Sequence, residues 1–108
     1  MKRAYTKKQL SELGFPAAEY HFPKESGEFT GTLIMKKWSD SSGLICYFET
    51  EYGEKVKLCV WFRTDPERTY RPAKSDLDLS MVELGAEICA KYTVTQKGKT
   101  RWEQAEIV

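Results

Sequence analysis

Histidine and cysteine are scarce in this chain: 108 residues hold one histidine and three cysteines. No CxxC pair and no His/Cys cluster offers the closely spaced ligands of a metal site, so none is expected. His21, beside Tyr20 and Phe22, has no evident partner and reads as a packing or surface residue rather than a catalyst. An odd number of cysteines leaves at least one thiol unpaired. Cys46, Cys59 and Cys89 each fall inside a strand-like run, the setting of buried free thiols. There is no Ser/His/Asp or Cys/His arrangement, no phosphate-cradling glycine loop and no carboxylate pair set for catalysis. The chain therefore reads as a binding protein without a cofactor, not as an enzyme. No apolar run is long enough to span a membrane, and the start MKRAYTKKQL lacks the apolar core of a signal peptide; a cytoplasmic protein with no membrane partner is expected. Nor does one sign of charge dominate: the formal net charge is +1, which argues against non-specific binding by the whole surface.

What the chain does have is alternation. In residues 43–50, Leu44, Cys46 and Phe48 alternate with Ile45, Tyr47 and Glu49. In residues 55–62, Val56, Leu58, Val60 and Phe62 alternate with Lys57, Cys59 and Trp61. Period-two patterning over two adjacent runs is the signature of a β-hairpin. A three-residue loop, Glu51, Tyr52 and left-handed Gly53, pairs Thr50 with Glu54 and hence Phe48 with Val56, Cys46 with Leu58 and Leu44 with Val60. A two-residue loop would set apolar residues against charged ones. The favoured register makes one face wholly apolar. The other face carries Tyr47 opposite Lys57, Ile45 opposite Cys59, and then Trp61 and Arg63. It also points Cys46 and Cys59 to opposite faces, where they cannot easily bridge.

The remaining elements are shorter. Residues 1–28 form a basic arm and a short helix that must dock on the rest. Thr6 and Gln9 have the spacing of a capping box, Tyr5 and Leu10 that of a hydrophobic staple, and Gly14 is a left-handed stop. Residues 29–38 form a first strand in which Leu33 and Ile34 lie on opposite faces, as in a strand that bends and serves two sheets. Residues 39–43 are a turn. Residues 64–75 form a polar loop with two prolines. Ser75 or Asp76 caps a short helical turn through Leu77, Leu79, Met81 and Val82. Residues 87–95 and 100–108 form a final pair of strands. A two-residue turn at Lys97 and Gly98 sets Ala105 against Ala90 and Ile107 against Ile88. Trp102 is out of phase with Ala105 and Ile107, so either a bulge intervenes or Trp102 faces outward, opposite Thr93. Charge is uneven along this order. Residues 55–74 hold six cations against two acids, and residues 91–101 hold Lys91, Lys97, Lys99 and Arg101 with no acid.

Three strands, a connection with a short helix, then two strands is the element order of the OB-fold, the oligonucleotide- and oligosaccharide-binding barrel. Residues 29–108 resemble that family in the GLICYFETEYGEKVKLCVWF hairpin and in the closing LGAEICAKYTVTQKGKTRWEQAEIV segment. The resemblance implies a mainly β fold: a small five-stranded OB-like Greek-key barrel, with a short N-terminal helix packed on it and a short helix between strands three and four. It also implies a ligand crossing strands two and three. That site would contain Tyr47, Lys57, Trp61 and Arg63, flanked by Trp38 on one side and by Lys97, Lys99, Arg101 and Trp102 on the other. Aromatic faces stacking unpaired bases and cations tracking phosphates suit single-stranded DNA or RNA. The alternative is a protein-interaction or structural domain with no nucleic-acid affinity. The near-neutral charge and an N-terminal helix laid over the sheet would favour it.

Overall fold

The computed structural model describes residues 4–39, 43–61 and 70–108, apart from the side chain of Trp61. Among the described residues, one α-helix, α1 (Lys7–Leu13), and a 3₁₀ turn (Ala17–Glu19) precede five strands: β1 (Gly27–Trp38), β2 (Gly43–Thr50), β3 (Lys55–Trp61), β4 (Glu87–Val94) and β5 (Thr100–Ile107). All strand pairings are antiparallel, in one sheet of order β3-β2-β1-β4-β5. Among the described residues no hydrogen-bonded ladder joins β3 to β5, although these end strands approach each other. The five strands thus form one antiparallel sheet that is not closed among the described residues.

The start of α1 follows its sequence signals. The Thr6 side chain accepts from the Gln9 amide at 3.2 Å, and the Gln9 side chain accepts from the Thr6 amide at 2.9 Å. Gly14 ends the helix in the left-handed conformation at φ 70°. The β2–β3 hairpin also keeps its expected register, with Phe48 opposite Val56, Cys46 opposite Leu58 and Leu44 opposite Val60. Its loop closes through the Thr50 amide donating to the Glu54 carbonyl at 2.8 Å, with Gly53 at φ 80°.

β1 is the strand on which the others depend. Its first half pairs with β4 from Gly27 to Thr32, and from Gly31 onward it also pairs with β2. Gly31 sits where both neighbours close in. A β-carbon there would lie 3.0 Å from the Glu49 carbonyl oxygen and 3.2 Å from the Thr50 α-carbon. These are backbone atoms in a ladder, so they cannot move aside cheaply. Beyond Thr32, β4 is gone, and Tyr5 takes its place: its amide donates to Lys36 O and its carbonyl accepts from the Trp38 amide, both at 2.8 Å.

A bulge at Ile34 shifts the register between Leu33 and Met35. The shift swaps the faces of everything that follows. Met35 turns outward beside Tyr47, and Lys36 turns inward opposite Cys46. The Lys36 side chain is fully buried. Its Nζ donates to the carbonyls of Leu79 (3.4 Å), Ser80 (3.0 Å) and Val82 (2.6 Å). Three carbonyls match the three protons of an ammonium. Lys36 thereby ties β1 to the 3₁₀ turn Leu79–Met81, the short helical element expected between strands three and four. The cap of that turn is Asp78, whose carboxylate accepts from the Ser80 amide at 3.0 Å. Ser75, three residues earlier in the chain, instead accepts from the Leu77 amide at 3.1 Å, so neither it nor Asp76 caps the turn as expected.

A second bulge lies in β5. The loop after β4 has three residues rather than two: the Thr95 amide donates to Lys99 O at 2.8 Å, across Gln96, Lys97 and Gly98. Val94 then pairs with Thr100 and Tyr92 with Trp102. Glu103 is the extra residue that restores Ala90 opposite Ala105 and Ile88 opposite Ile107. The bulge turns Trp102 into the core, where it is 4% exposed, and not outward. Around it gather Leu33, Leu44, Phe48, Leu58, Val60, Leu79 and Ile88, all fully or almost fully buried.

Lys36 generates a stability prediction. Lys36→Met keeps the length and apolar bulk but leaves three carbonyls without their donor. It should lower the unfolding free energy in urea by about 1–3 kcal/mol. Unchanged stability would mean that the three carbonyls find other donors.

Candidate nucleic-acid interface

The sequence-predicted site falls on four parts of the molecule. Tyr47 does lie on the outward face opposite Lys57, but it is only 1% exposed. Its ring meets Phe15 edge-on at 5.2 Å and Tyr20 edge-on at 5.2 Å, while Phe15 and Tyr20 stack at 5.3 Å. Leu10 fills the same cluster, with Met35 and Ile45 packed against it. Tyr47 therefore has no open face for a base, which corrects its expected role. The cause is the apolar side of the N-terminal segment, which needs cover and packs against the Tyr47 ring. Such aromatic pairs add about 0.5–1.5 kcal/mol each beyond area burial.

The cations of β3 are engaged by the same segment. The Lys57 ammonium sits 4.8 Å from the centroid of the Phe22 ring, a cation–π contact. The Lys55 ammonium bonds to the Glu19 carboxylate at 2.8 Å, and this bond raises its pKa. His21 pairs with the free edge of β3 through its backbone: its amide donates to Lys55 O at 3.2 Å and its carbonyl accepts from the Lys57 amide at 3.0 Å. The His21 ring is exposed. The segment thus covers both the outward face and the open edge of β3, a common protection for edge strands.

Trp38 and Trp61 share one end of the sheet. Trp38 stands opposite Leu44, and the backbone of Trp61 ends β3 opposite Gly43. Trp38 is 38% exposed, and its ring meets Tyr70 edge-on with centroids 5.0 Å apart. Tyr70 is itself buried. Sequence reasoning placed Tyr70 in the connecting loop without pairing it to Trp38, because nothing in local spacing reports a contact made across the fold. The side chain of Trp61 and the whole of Arg63 lie outside the described residues.

Lys97 and Lys99 are exposed on the β4–β5 turn, and Arg101 is exposed opposite Thr93. β4 ends beside the start of β1: the Val94 amide donates to Ser26 Oγ at 2.8 Å. The basic turn and Trp38 therefore sit at opposite ends of β1. Trp102 belongs to neither group, being in the core 5.8 Å from the Phe48 ring. What the structure brings together is an open aromatic end (Trp38 with Tyr70, at the exit of β3) and a separate cationic turn.

The thiols form no disulfide among the described residues. Cys46 and Cys59 are buried on opposite faces, while Cys89 is only half-buried. Burial pushes the Cys46 thiol up to about 12, partly offset by the nearby Lys36 ammonium. Burial likewise pushes Cys59 up to about 11. Lys36 is shifted the other way, below the ordinary lysine value, again chiefly by burial. Among the described residues no helix is long and apolar enough to cross a membrane, and no group of three His, Cys, Asp or Glu is placed to hold a metal ion.

Comparison of the chain with protein-family models, with curated proteins and with solved structures gave no match.

The thiol shifts set a pH dependence. A thiol whose folded pKa lies above its unfolded value of about 8.5 keeps its proton more tightly in the folded state, so stability falls as pH rises through that window. Unfolding free energy should therefore be flat up to about pH 8 and decline towards pH 11. A Cys46→Ala, Cys59→Ala double variant should show a shallower decline in denaturant melts at stepped pH. An identical slope in both proteins would show that the thiols do not control it.

Proposed function

We propose that this protein is a small single-stranded nucleic-acid-binding module on an OB-like Greek-key scaffold, with its stacking site at the Trp38 end of the sheet rather than over Tyr47. The strand order supports the scaffold. Three consecutive antiparallel strands are followed by a fourth that returns to lie beside the first. The connection between β3 and β4 carries a short helical turn, and the two end strands approach each other without a ladder. The observation that carries the function is the Trp38 ring, partly open to solvent and braced edge-on by Tyr70.

A braced ring loses little freedom when a base stacks on it, which favours binding. In sequence, Tyr70 is followed directly by Arg71, and residues 63–74 hold four cations against two acids. Lys97, Lys99 and Arg101 at the far end of β1 lie where they would track phosphates of a strand running along the sheet. A site of about 4–16 nucleotides, usual for one OB domain, spans such a length.

A second reading has its own observation. The outward face of β2 and β3 is sealed by the N-terminal segment through Tyr47, so the scaffold also suits a protein-interaction domain with no nucleic-acid affinity.

Titration with a mixed-sequence single-stranded oligonucleotide, followed by tryptophan fluorescence and by anisotropy of a labelled strand, separates the two. Saturable quenching that weakens with salt is expected. Trp38→Ala should weaken binding about 5- to 150-fold, the equivalent of one stacked base at roughly 1–3 kcal/mol. Lys97→Ala with Lys99→Ala should reduce the salt slope by about 0.7 for each phosphate that is no longer neutralised. No binding at low salt would select the interaction reading, and full affinity in a folded Trp38→Ala protein would remove the proposed stacking site.

A further inference from the structure

The side of the molecule beside the 3₁₀ turn has the opposite character from the basic turn. Residues 76–83 and the end of β5 enclose a groove of about 410 Å³. Leu77, Met81 and Ile107 give it an apolar floor, and Asp76, Asp78 and Glu83 stand around it. Among the described residues, no lysine or arginine lines it. Met81 is 55% exposed and Ile107 58% exposed, so large apolar side chains are open to water here. The Asp78 carboxylate is committed to capping the turn through the Ser80 amide and hydroxyl. Among the described residues, no cation pairs with Asp76 or Glu83.

Two such carboxylates beside exposed apolar side chains are a costly surface to keep. Apolar area left in water forgoes about 25 cal/mol per Å², and clustered acids repel each other. A protein segment that sets an apolar anchor between basic residues answers both. A groove of this volume takes one or two large side chains. The backbone beside it is open as well. In the β4–β5 ladder the Val108 amide donates to Glu87 O, and antiparallel bonding alternates. Ile107 is therefore a position whose own amide and carbonyl face away from β4. Among the described residues, the edge beyond it is occupied further back, where the Lys74 amide donates to Glu103 O and the Ser75 hydroxyl to Ala105 O.

We propose that this groove is a docking site for a partner protein segment in extended conformation, with lysine or arginine on either side of a large apolar residue. The segment continues the sheet at Ile107, sets its apolar side chain against Leu77 and Met81, and places its cations on Asp76 and Glu83. The site is separate from the proposed nucleic-acid site and does not depend on it. The same acids exclude a phosphate backbone from this face.

The test is selection of a random peptide-display library on the full chain, followed by affinity measurement of a synthetic selected peptide on wild type, Met81→Glu and Glu83→Lys. Both substituted residues are exposed, and circular dichroism checks that each variant folds. The expected result is enrichment of peptides with Lys or Arg flanking an apolar residue, and a Kd raised about tenfold or more, some 1.4 kcal/mol, by either variant. Enrichment of no such class would overturn the proposal. So would a selected peptide that binds both variants as tightly as wild type.

Discussion

The constraint that shapes this fold is that one strand must serve two neighbours. β1 is hydrogen-bonded to β4 along its first half and to β2 along its second, with both present at Gly31. A straight strand cannot follow two neighbours that diverge. β1 solves this with a residue that has no side chain where the neighbours crowd, and with a bulge at Ile34 where it changes direction. The bulge has a consequence at a distance. By exchanging the faces of all later residues it sends Lys36 into the core, and Lys36 gathers three carbonyls of the β3–β4 connection. The position of the acid-rimmed groove beside that connection thus follows from a backbone irregularity in another strand. Burying an ammonium costs several kcal/mol unless it is well bonded. With one proton for each carbonyl, Lys36 is.

The two faces of the sheet have different owners. The inner face is closed by its own curl, with Trp102 and Phe48 at its centre. The outer face is closed by a segment too short to fold alone. α1 has seven residues, well under the length at which an isolated helix holds in water. It persists because Leu10, Phe15 and Tyr20 share one cluster with Tyr47, and because His21 extends β3 by backbone bonding. Helix and sheet stabilise each other there, and the result is that the most aromatic part of the outward face is spent on folding. Trp38, at the margin of the sheet, lies outside that cluster.

Much of this was legible in the residues, and the misses share one cause. The β2–β3 register, Gly53 and the capping box of Thr6 and Gln9 rest on local spacing, and local spacing survives folding. The burial of Tyr47 does not, since it depends on a segment 27 to 37 residues earlier in the chain. The bulges are intermediate. Leu33 next to Ile34 and the odd phase of Trp102 both advertised irregular strands, yet alternation alone could not say which way each would break. At β5 the pairing of Ala90 with Ala105 emerged as expected by a different route, a longer loop compensated by Glu103. A pairing that survives two offsetting changes shows that burial of these small residues, rather than turn length, sets the register. Lys36 was invisible for the same reason: its character as a core residue exists only once the bulge is in place.

Charge completes the argument about how the two proposed surfaces coexist in a chain of net charge +1. Near-neutrality here is the sum of unlike regions rather than an even mixture. Cations concentrate in residues 91–101 and in the connection after β3, while Asp76, Asp78 and Glu83 gather around one groove. At physiological ionic strength the field of exposed charges decays over about 8 Å, and the molecule measures 35 by 34 by 30 Å. The basic turn at residues 97–101 and the groove would therefore each act on its own proposed ligand with little interference from the other. A polyanion approaching the basic turn does not feel the acids strongly, and a basic segment approaching the groove is not repelled by Lys97 or Lys99. Segregation over such distances would let a small domain hold both proposed ligands together, which an evenly mixed surface of the same net charge could not do.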